Sequence, residues 1–254
     1  MKIWLNDRIA DEFEINLDSD GWPQGIGIFE TLRTEDGQVF ELSRHMRRAI
    51  DASESTGIKL PSEELIRSAV ASLLLEEPQK IGRLRFMFSN SLFVAIHKLY
   101  EDQRNPLKIC TQTQMLKSDQ VSIKKYPYTD RLALLATVTR QGYDEVICNN
   151  LKSQVTEGAV SNFLFLIDGA WFTTPLTAGV LPGVMRAISI ERCGVKVRNI
   201  GIEEISRVES VLVVSSLKIA LPVASIDGRA LKIGTHAQTL EEEIRSKTQK
   251  HSVG

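Results

Sequence analysis

Three cysteines stand in 254 residues, Cys110, Cys148 and Cys193, far apart and with no Cys-x-x-Cys spacing. That excludes a disulfide framework, offers no zinc site and makes a reducing cytoplasm the expected compartment. The four histidines, His45, His97, His236 and His251, are too dispersed for a metal cluster, so no metal is expected. Net charge is only −1, which leaves no general footprint for nucleic acid or an anionic membrane. No apolar run approaches the ~20 residues that span a bilayer. Residues 1–17 scatter their charges and hold no long apolar core, so no signal peptide is expected. Internal repeats and low-complexity tracts are also missing.

What is present is ordinary for a globular protein: 43% hydrophobic and 25% charged residues. The length suffices for one large domain or two small ones. Alternation in residues 1–17 reads as a hairpin turning at Asn6-Asp7-Arg8. Residues 26–33 and 39–42 read as a strand pair around Glu35-Asp36-Gly37. Ser43 caps a helix to about Ser55, whose first turns crowd Arg44, His45, Arg47 and Arg48 where the helix dipole disfavours cations. Such a face is either solvated or turns one arginine inward to an anion. A second helix runs from Pro61 to Glu77 on an apolar stripe of Leu65, Ile66, Ala69, Val70, Leu73 and Leu74. Ile81–Phe88 alternates as a strand, with Ile81, Arg83, Arg85 and Met87 on one face. Its two arginines read as a solvent-facing edge or as a carboxylate clamp in a cleft. Further strands cover 92–99 and 107–113, and the polar residues 114–120 read as a linker. The expected domains are therefore 1–113 and 121–254.

The second half is organised around Gln154–Arg186. Short β-favouring runs carry Val155, Val160, Phe163, Phe165 and Ile167, so two buried strands are expected, with a hairpin turn at Asp168-Gly169. Leu181-Pro182-Gly183 then opens a helix to about Arg192, whose free N–H groups favour an anion. One acid, Glu157, sits in this apolar package and should have a partner. A helix closed by Gly142, a strand at 144–148, strands at 195–197 and 211–214, a strand pair about Asp227-Gly228 and a C-terminal helix that frays complete the reading.

Six motifs occur together and in order: Gly25-Ile26-Gly27-Ile28-Phe29-Glu30-Thr31-Leu32-Arg33, His45-Met46-Arg47-Arg48, Gly142-Tyr143-Asp144-Glu145, Thr156-Glu157-Gly158-Ala159-Val160-Ser161-Asn162, Thr174-Pro175-Leu176, and Leu181-Pro182-Gly183-Val184-Met185-Arg186. Over roughly residues 1–230 the chain resembles the class IV (fold type IV) aminotransferases, which use pyridoxal 5′-phosphate. The resemblance implies an α/β (α+β) fold of two domains, the smaller N-terminal, with the cofactor in the cleft between them, and a homodimer. It implies Lys124 as the Schiff-base lysine, with adjacent Lys125 as the alternative and Lys152 a decoy in a polar turn. Glu157 corresponds to the acid at the pyridine nitrogen. Arg48, the N–H groups of Val184 and Met185, and Ser216 correspond to the phosphate cradle. Tyr128 stands where relatives aim a phenol at the ring hydroxyl, and Arg85 where a substrate carboxylate is held.

The chain departs from the family at Lys125-Tyr126-Pro127-Tyr128, at Gly25-Ile26-Gly27 and at Asp20-Gly21-Trp22, the last two bordering the substrate entrance in relatives. Within the family, the compact length, the lysine-to-glutamate spacing and Ser215-Ser216-Leu217 ahead of Pro222-Val223 point to 4-amino-4-deoxychorismate lyase. That enzyme releases pyruvate and leaves 4-aminobenzoate for folate synthesis, after Lys124 takes the α-proton. The alternative is an aminotransferase of branched-chain or D-amino acids, which shares that first step. A cofactor-free scaffold is the reading from another class, and colour separates it from a yellow holoenzyme.

Overall fold

The computed structural model describes residues 1–115 and 122–251. They form two compact units. One holds the described residues of Met1–Asp102, Ile123–Thr129 and Gln249–Gly254, and the other those of Gln103–Ser122 and Asp130–Thr248. Among the described residues no helix is long and apolar enough to cross a membrane.

The first unit is an eight-stranded sheet under two helices. Across the sheet the order is Lys250–His251, Gln38–Phe40, Gly27–Glu35, Ile81–Phe88, Phe93–Leu99, Lys2–Leu5 and Arg8–Asp11, with Lys125–Tyr126 also paired to Gly27–Glu35. The helices are Leu42–Thr56 and Glu63–Glu76. Gly57, at φ 72°, ends the first in the left-handed conformation that glycine adopts without strain. The Ser62 hydroxyl caps the second by accepting from the Leu65 N–H.

The antiparallel register Glu30↔Phe86, Thr31↔Arg85 and Leu32↔Leu84 sorts side chains between the two sheet faces. Leu32, Leu84, Phe86 and Phe88 pack with Ala49, Ile66, Val70 and Leu73 of the helices, so Glu30 lies on the helix-covered face. Phe29, Thr31, Arg83 and Arg85 occupy the opposite face.

The second unit also carries an eight-stranded sheet. Its order is Lys196–Val197, Ala170–Thr173, Asn162–Ile167, Ser210–Ser215, Ile219–Ile226, Leu107–Met115 and Glu145–Asn149, with Arg229–Ala230 beside Ile219–Ile226. Its core gathers Phe163, Phe165, Ile167, Val211, Val213, Leu221 and Val223. Asp168 and Gly169 both take positive φ, 49° and 72°, as a two-residue hairpin turn demands. Helices Thr129–Arg140, Val184–Cys193 and Thr235–Lys247 complete it.

Three expectations are corrected. A cut at residue 113 places Leu107–Met115 in an N-terminal domain. Its parallel ladders to Ile219–Ile226 and Glu145–Asn149 put it in the second unit instead. Most of the expected linker, from 116 onward, lies outside the described residues. Second, the two strands about Asp168-Gly169 are Asn162–Ile167 and Ala170–Thr173, so Val155 and Val160 lie outside them. The Glu145 carboxylate gathers the N–H groups of Ala159 and Val160 and the Ser161 hydroxyl, and the Gly158 N–H donates to Ser161 O at 2.7 Å, which coils the segment into a turn. Third, the chain does not fray throughout beyond its last helix: Lys250 and His251 pair with Phe40 and Val39.

Candidate active site

The strand Gly27–Glu35 seats the candidate lysine. Gly27 and Ile28 pair with Tyr126 and Lys125, and the Phe29 N–H donates to Lys124 O at 3.0 Å. Gly27 has to be glycine, since a Cβ there would fall 2.2 Å from both Phe88 O and the Tyr126 ring. Lys124 is half-buried and Lys125 is exposed. The Lys124 Nζ lies 4.4 Å from the Phe29 ring centroid and 4.8 Å from that of Tyr128, two contacts that favour a cation. Phe29 and Tyr128 meet edge to face at 5.1 Å. Lys152 sits in an exposed turn.

On the other sheet face, Arg48 grips Glu30 through Nε at 2.8 Å and Nη2 at 2.6 Å. His45 Nδ1 reaches the same carboxylate at 2.6 Å. Burial pushes the Glu30 carboxyl up, but the charge and hydrogen bonds of Arg48 and the bond from His45 outweigh it and hold the group at about 2. Burial drives His45 the other way, below its usual range, against the pull of Glu30. The basic first turns of this helix are thus not simply a solvated face.

In the second unit Glu157 is buried and has the partners its burial demands. Arg131 Nη2 donates to it at 2.6 Å, the Leu181 N–H at 2.8 Å and Asn162 Nδ2 at 3.2 Å. The Arg131 Nη1 also donates to Gly158 O at 3.0 Å. Arg131 escaped the sequence reading. Its only signal there is that of Arg48, a cation in the first turn of a helix, where the dipole disfavours it.

The helix Val184–Cys193 begins at Gly183, and no side chain caps it. Val184 and Met185 are buried in its first turn, so their N–H groups are presented without a side-chain acceptor. Arg186 fixes the helix by donating to Thr174 O through Nε at 3.1 Å and Nη2 at 2.6 Å. The Thr174 hydroxyl donates in turn to Thr156 O at 2.7 Å, beside Glu157. Ser216 lies in the turn between Ser210–Ser215 and Ile219–Ile226.

Arg85 shares the sheet face of Phe29. Its guanidinium lies 4.2 Å from the Trp22 ring centroid, and Nη1 donates to Asp20 O at 3.2 Å. Trp22 meets Phe29 edge-on at 4.7 Å, so the Trp22 and Phe29 rings stand in turn between Arg85 and the Lys124 ammonium.

The family model described as "Amino-transferase class IV" matches residues 27–226. The chain belongs to the class IV aminotransferases. It is 24% identical to a putative branched-chain-amino-acid aminotransferase of Methanocaldococcus jannaschii, over 96% of both chains. It is 23% identical to a D-alanine aminotransferase of Staphylococcus epidermidis, over 99% of both. A putative aminodeoxychorismate lyase of Schizosaccharomyces pombe is 23% identical over 65% of this chain and 73% of its own. In fold, the branched-chain aminotransferase of Thermoproteus uzoniensis superposes with a TM-score of 0.85 at 23% identity, covering 96% of this chain and 93% of that one.

The fold is fold type IV, and pyridoxal phosphate is the cofactor of this class IV aminotransferase. The residues present fit that group chemically. A half-buried lysine offers the amine, a buried carboxylate faces the need for a ring-nitrogen acid, and an uncapped helix start and an arginine suit a phosphate.

Proposed function

We propose that the chain is a pyridoxal-phosphate-dependent aminotransferase that moves an amino group from an amino acid to an oxo acid. The observation that carries this is the lysine segment, where Lys124 is half-buried against the Phe29 and Tyr128 rings while Lys125 points to solvent. Pyridoxal phosphate, when bound, supplies an electron sink for the charge left after the Cα proton of the substrate is removed.

The chain's own groups do the rest. With the cofactor bound, Lys124 would supply the amine that holds it and the base that takes the substrate Cα proton. Glu157 would face the pyridine nitrogen as its acid partner, with Arg131 and Asn162 orienting the carboxylate. Arg48, the Val184 and Met185 N–H groups and Ser216 would hold the phosphate, and Tyr128 would serve the ring hydroxyl. Arg85 binds a substrate carboxylate. A homodimer accompanies this reading.

A second reading, 4-amino-4-deoxychorismate lyase, is favoured by Ser215-Ser216-Leu217 preceding Pro222-Val223 and by the fission-yeast relative. It uses the same residues up to the first proton transfer.

Absorbance of the purified protein with added pyridoxal phosphate tests both. A visible band that bleaches with borohydride, with pyridoxyl mass on Lys124, is expected. Amino transfer to an oxo acid then supports the aminotransferase. Pyruvate release from 4-amino-4-deoxychorismate without an oxo acid replaces it by the lyase. A protein that gains no band overturns both.

A further inference from the structure

Late in the chain, the peptide bond from Thr248 to Gln249 passes from the second unit into the first. In the first unit Glu41 receives it. Glu41 is buried and takes φ 51°, a left-handed conformation that strains any residue with a Cβ. So held, its N–H donates to Gln249 O at 3.0 Å and its carboxylate accepts the Gln249 N–H at 2.6 Å. The other carboxylate oxygen lies 3.3 Å from Arg44 Nε. Both contacts with Gln249 go to its backbone, so they fix the path of the chain.

One residue on, Lys250 Nζ donates to Glu35 Oε2 at 2.8 Å and lies 5.1 Å from the Phe40 ring centroid. Glu35 also accepts from Arg33 Nε at 2.8 Å, and the fully buried Arg33 donates again to Asp102 at 2.8 Å. Burial pushes the Glu35 carboxyl up, but its bonds from Lys250 and Arg33 outweigh that and hold it below its usual range.

On the second unit's side of the same peptide bond, the chain grips the helix Val184–Cys193. Arg192 Nη1 donates to Lys247 O at 2.6 Å, and Lys247 Nζ donates back to Arg192 O. The Thr248 hydroxyl donates to Ile244 O at 2.7 Å, and its oxygen packs 3.8 Å from Met185 Sδ. Lys247 thus braces the last turn of that helix and Thr248 the first, the turn whose Val184 and Met185 N–H groups stand in the proposed phosphate seat. A single peptide bond leaves no slack between these contacts and those of Gln249.

We propose that Gln249–His251 is a strap whose fastening to Glu41 and Glu35 positions the helix Val184–Cys193 for a phosphate. Lys250 and the Gln249 backbone act through Thr248 and Met185, as positioning groups. This rests on the phosphate-seat reading for its meaning, but the hold on the helix is testable without it. The two fastenings differ in weight. Lys250 is exposed, so its ion pair is worth about a threefold change, whereas the Glu41 bond is buried and worth about tenfold.

The experiment compares wild type with Lys250→Met, Lys250→Arg and Gln249→Pro, the last of which removes the N–H that Glu41 accepts. The cofactor-free proteins are titrated by fluorescence with pyridoxal phosphate and with pyridoxal. Affinity for pyridoxal phosphate is expected to fall about threefold in Lys250→Met and about tenfold in Gln249→Pro, with affinity for pyridoxal level. Lys250→Arg is expected to bind both as wild type does. The phosphorus NMR signal of the bound phosphate is expected to move in Lys250→Met and to stay in place in Lys250→Arg. Without cofactor, amide exchange across Val184–Cys193 is expected to quicken in Lys250→Met and more so in Gln249→Pro. Helix exchange untouched in both variants, or an equal loss of affinity for the two ligands, overturns the proposal. If wild type binds no pyridoxal phosphate and helix exchange still quickens, the strap's hold on the helix stands and the phosphate-seat reading falls.

Discussion

Arg131 Nη2 lies 2.6 Å from Glu157 Oε1, and the two residues come from a helix and a loop 26 positions apart. The pair is nearly dry, with side-chain exposures of 14% and 2%. Removing one member leaves a buried charge without its counter-charge. Arg131→Met is expected to destabilise folding by about 3 kcal/mol, read by urea denaturation. A loss below about 1 kcal/mol would mean that Asn162 and the Leu181 N–H suffice for Glu157.

Lys124 and Lys125 are adjacent yet differ in exposure. Lys124→Ala is expected to abolish the visible band and lower turnover by roughly 10²–10⁴-fold. Lys125→Ala is expected to keep the band. Spectra of the two variants side by side decide it, and loss of the band only in the second would shift the assignment by one residue.

Glu30 occupies two donors of Arg48. Glu30→Gln gives up the carboxylate that orients this guanidinium. Affinity for pyridoxal phosphate is expected to fall about tenfold, while affinity for pyridoxal, which has no phosphate, stays level. Fluorescence titration with both compounds separates a phosphate-specific effect from a general one.

The same cluster sets an acid limit. The Glu30 carboxyl is held at about 2, below its ordinary 4.5, so its contribution is complete above that ordinary value and lost as pH falls through about 2. His45 is also lowered, from 6.5, so protonation favours the unfolded chain as pH falls below that value. Stability is expected to decline from about pH 6.5 downward. His45→Gln should flatten the upper part of that decline, as urea midpoints across the range would show.

A methyl group on Gly158 would come within 2.7 Å of Glu145 Cδ and of Ser161 Oγ. Glu145 cannot retreat, because four donors hold it: the N–H groups of Val146, Ala159 and Val160 and the Ser161 hydroxyl. Gly158→Ala is expected to cost about 1–3 kcal/mol, measurable by thermal denaturation. An unchanged midpoint would show that the loop can shift.

Much of this was legible from local pattern. Ile81–Phe88 alternates cleanly and the Asp168-Gly169 turn obeys a short-range rule, but Ser43 is not the cap expected of it: the helix starts at Leu42 after Glu41, and no side chain caps it. Val155 and Val160 fall outside the strands they were grouped with, and the Ala159 and Val160 N–H groups go instead to the buried Glu145 carboxylate of the strand Glu145–Asn149. Arg131 was missed for a related reason: its partner is chosen by tertiary placement. Arg85 was picked out, but its contact with Trp22 depends on how residues 18–22 fold over the sheet. The strand Lys250–His251 has no local signature, being two polar residues paired to a distant edge.

That late strand has a consequence for biosynthesis. The first unit is assembled from three separated stretches of chain, so it is not the first to be complete on the ribosome. Lys250–His251 emerges after all of the second unit's residues. Until then Gln38–Phe40 keeps a bare flank, the kind of edge that recruits strands from other molecules. A fragment truncated at Asp102 would carry that flank permanently, and would also lack Lys125–Tyr126 on Gly27–Glu35.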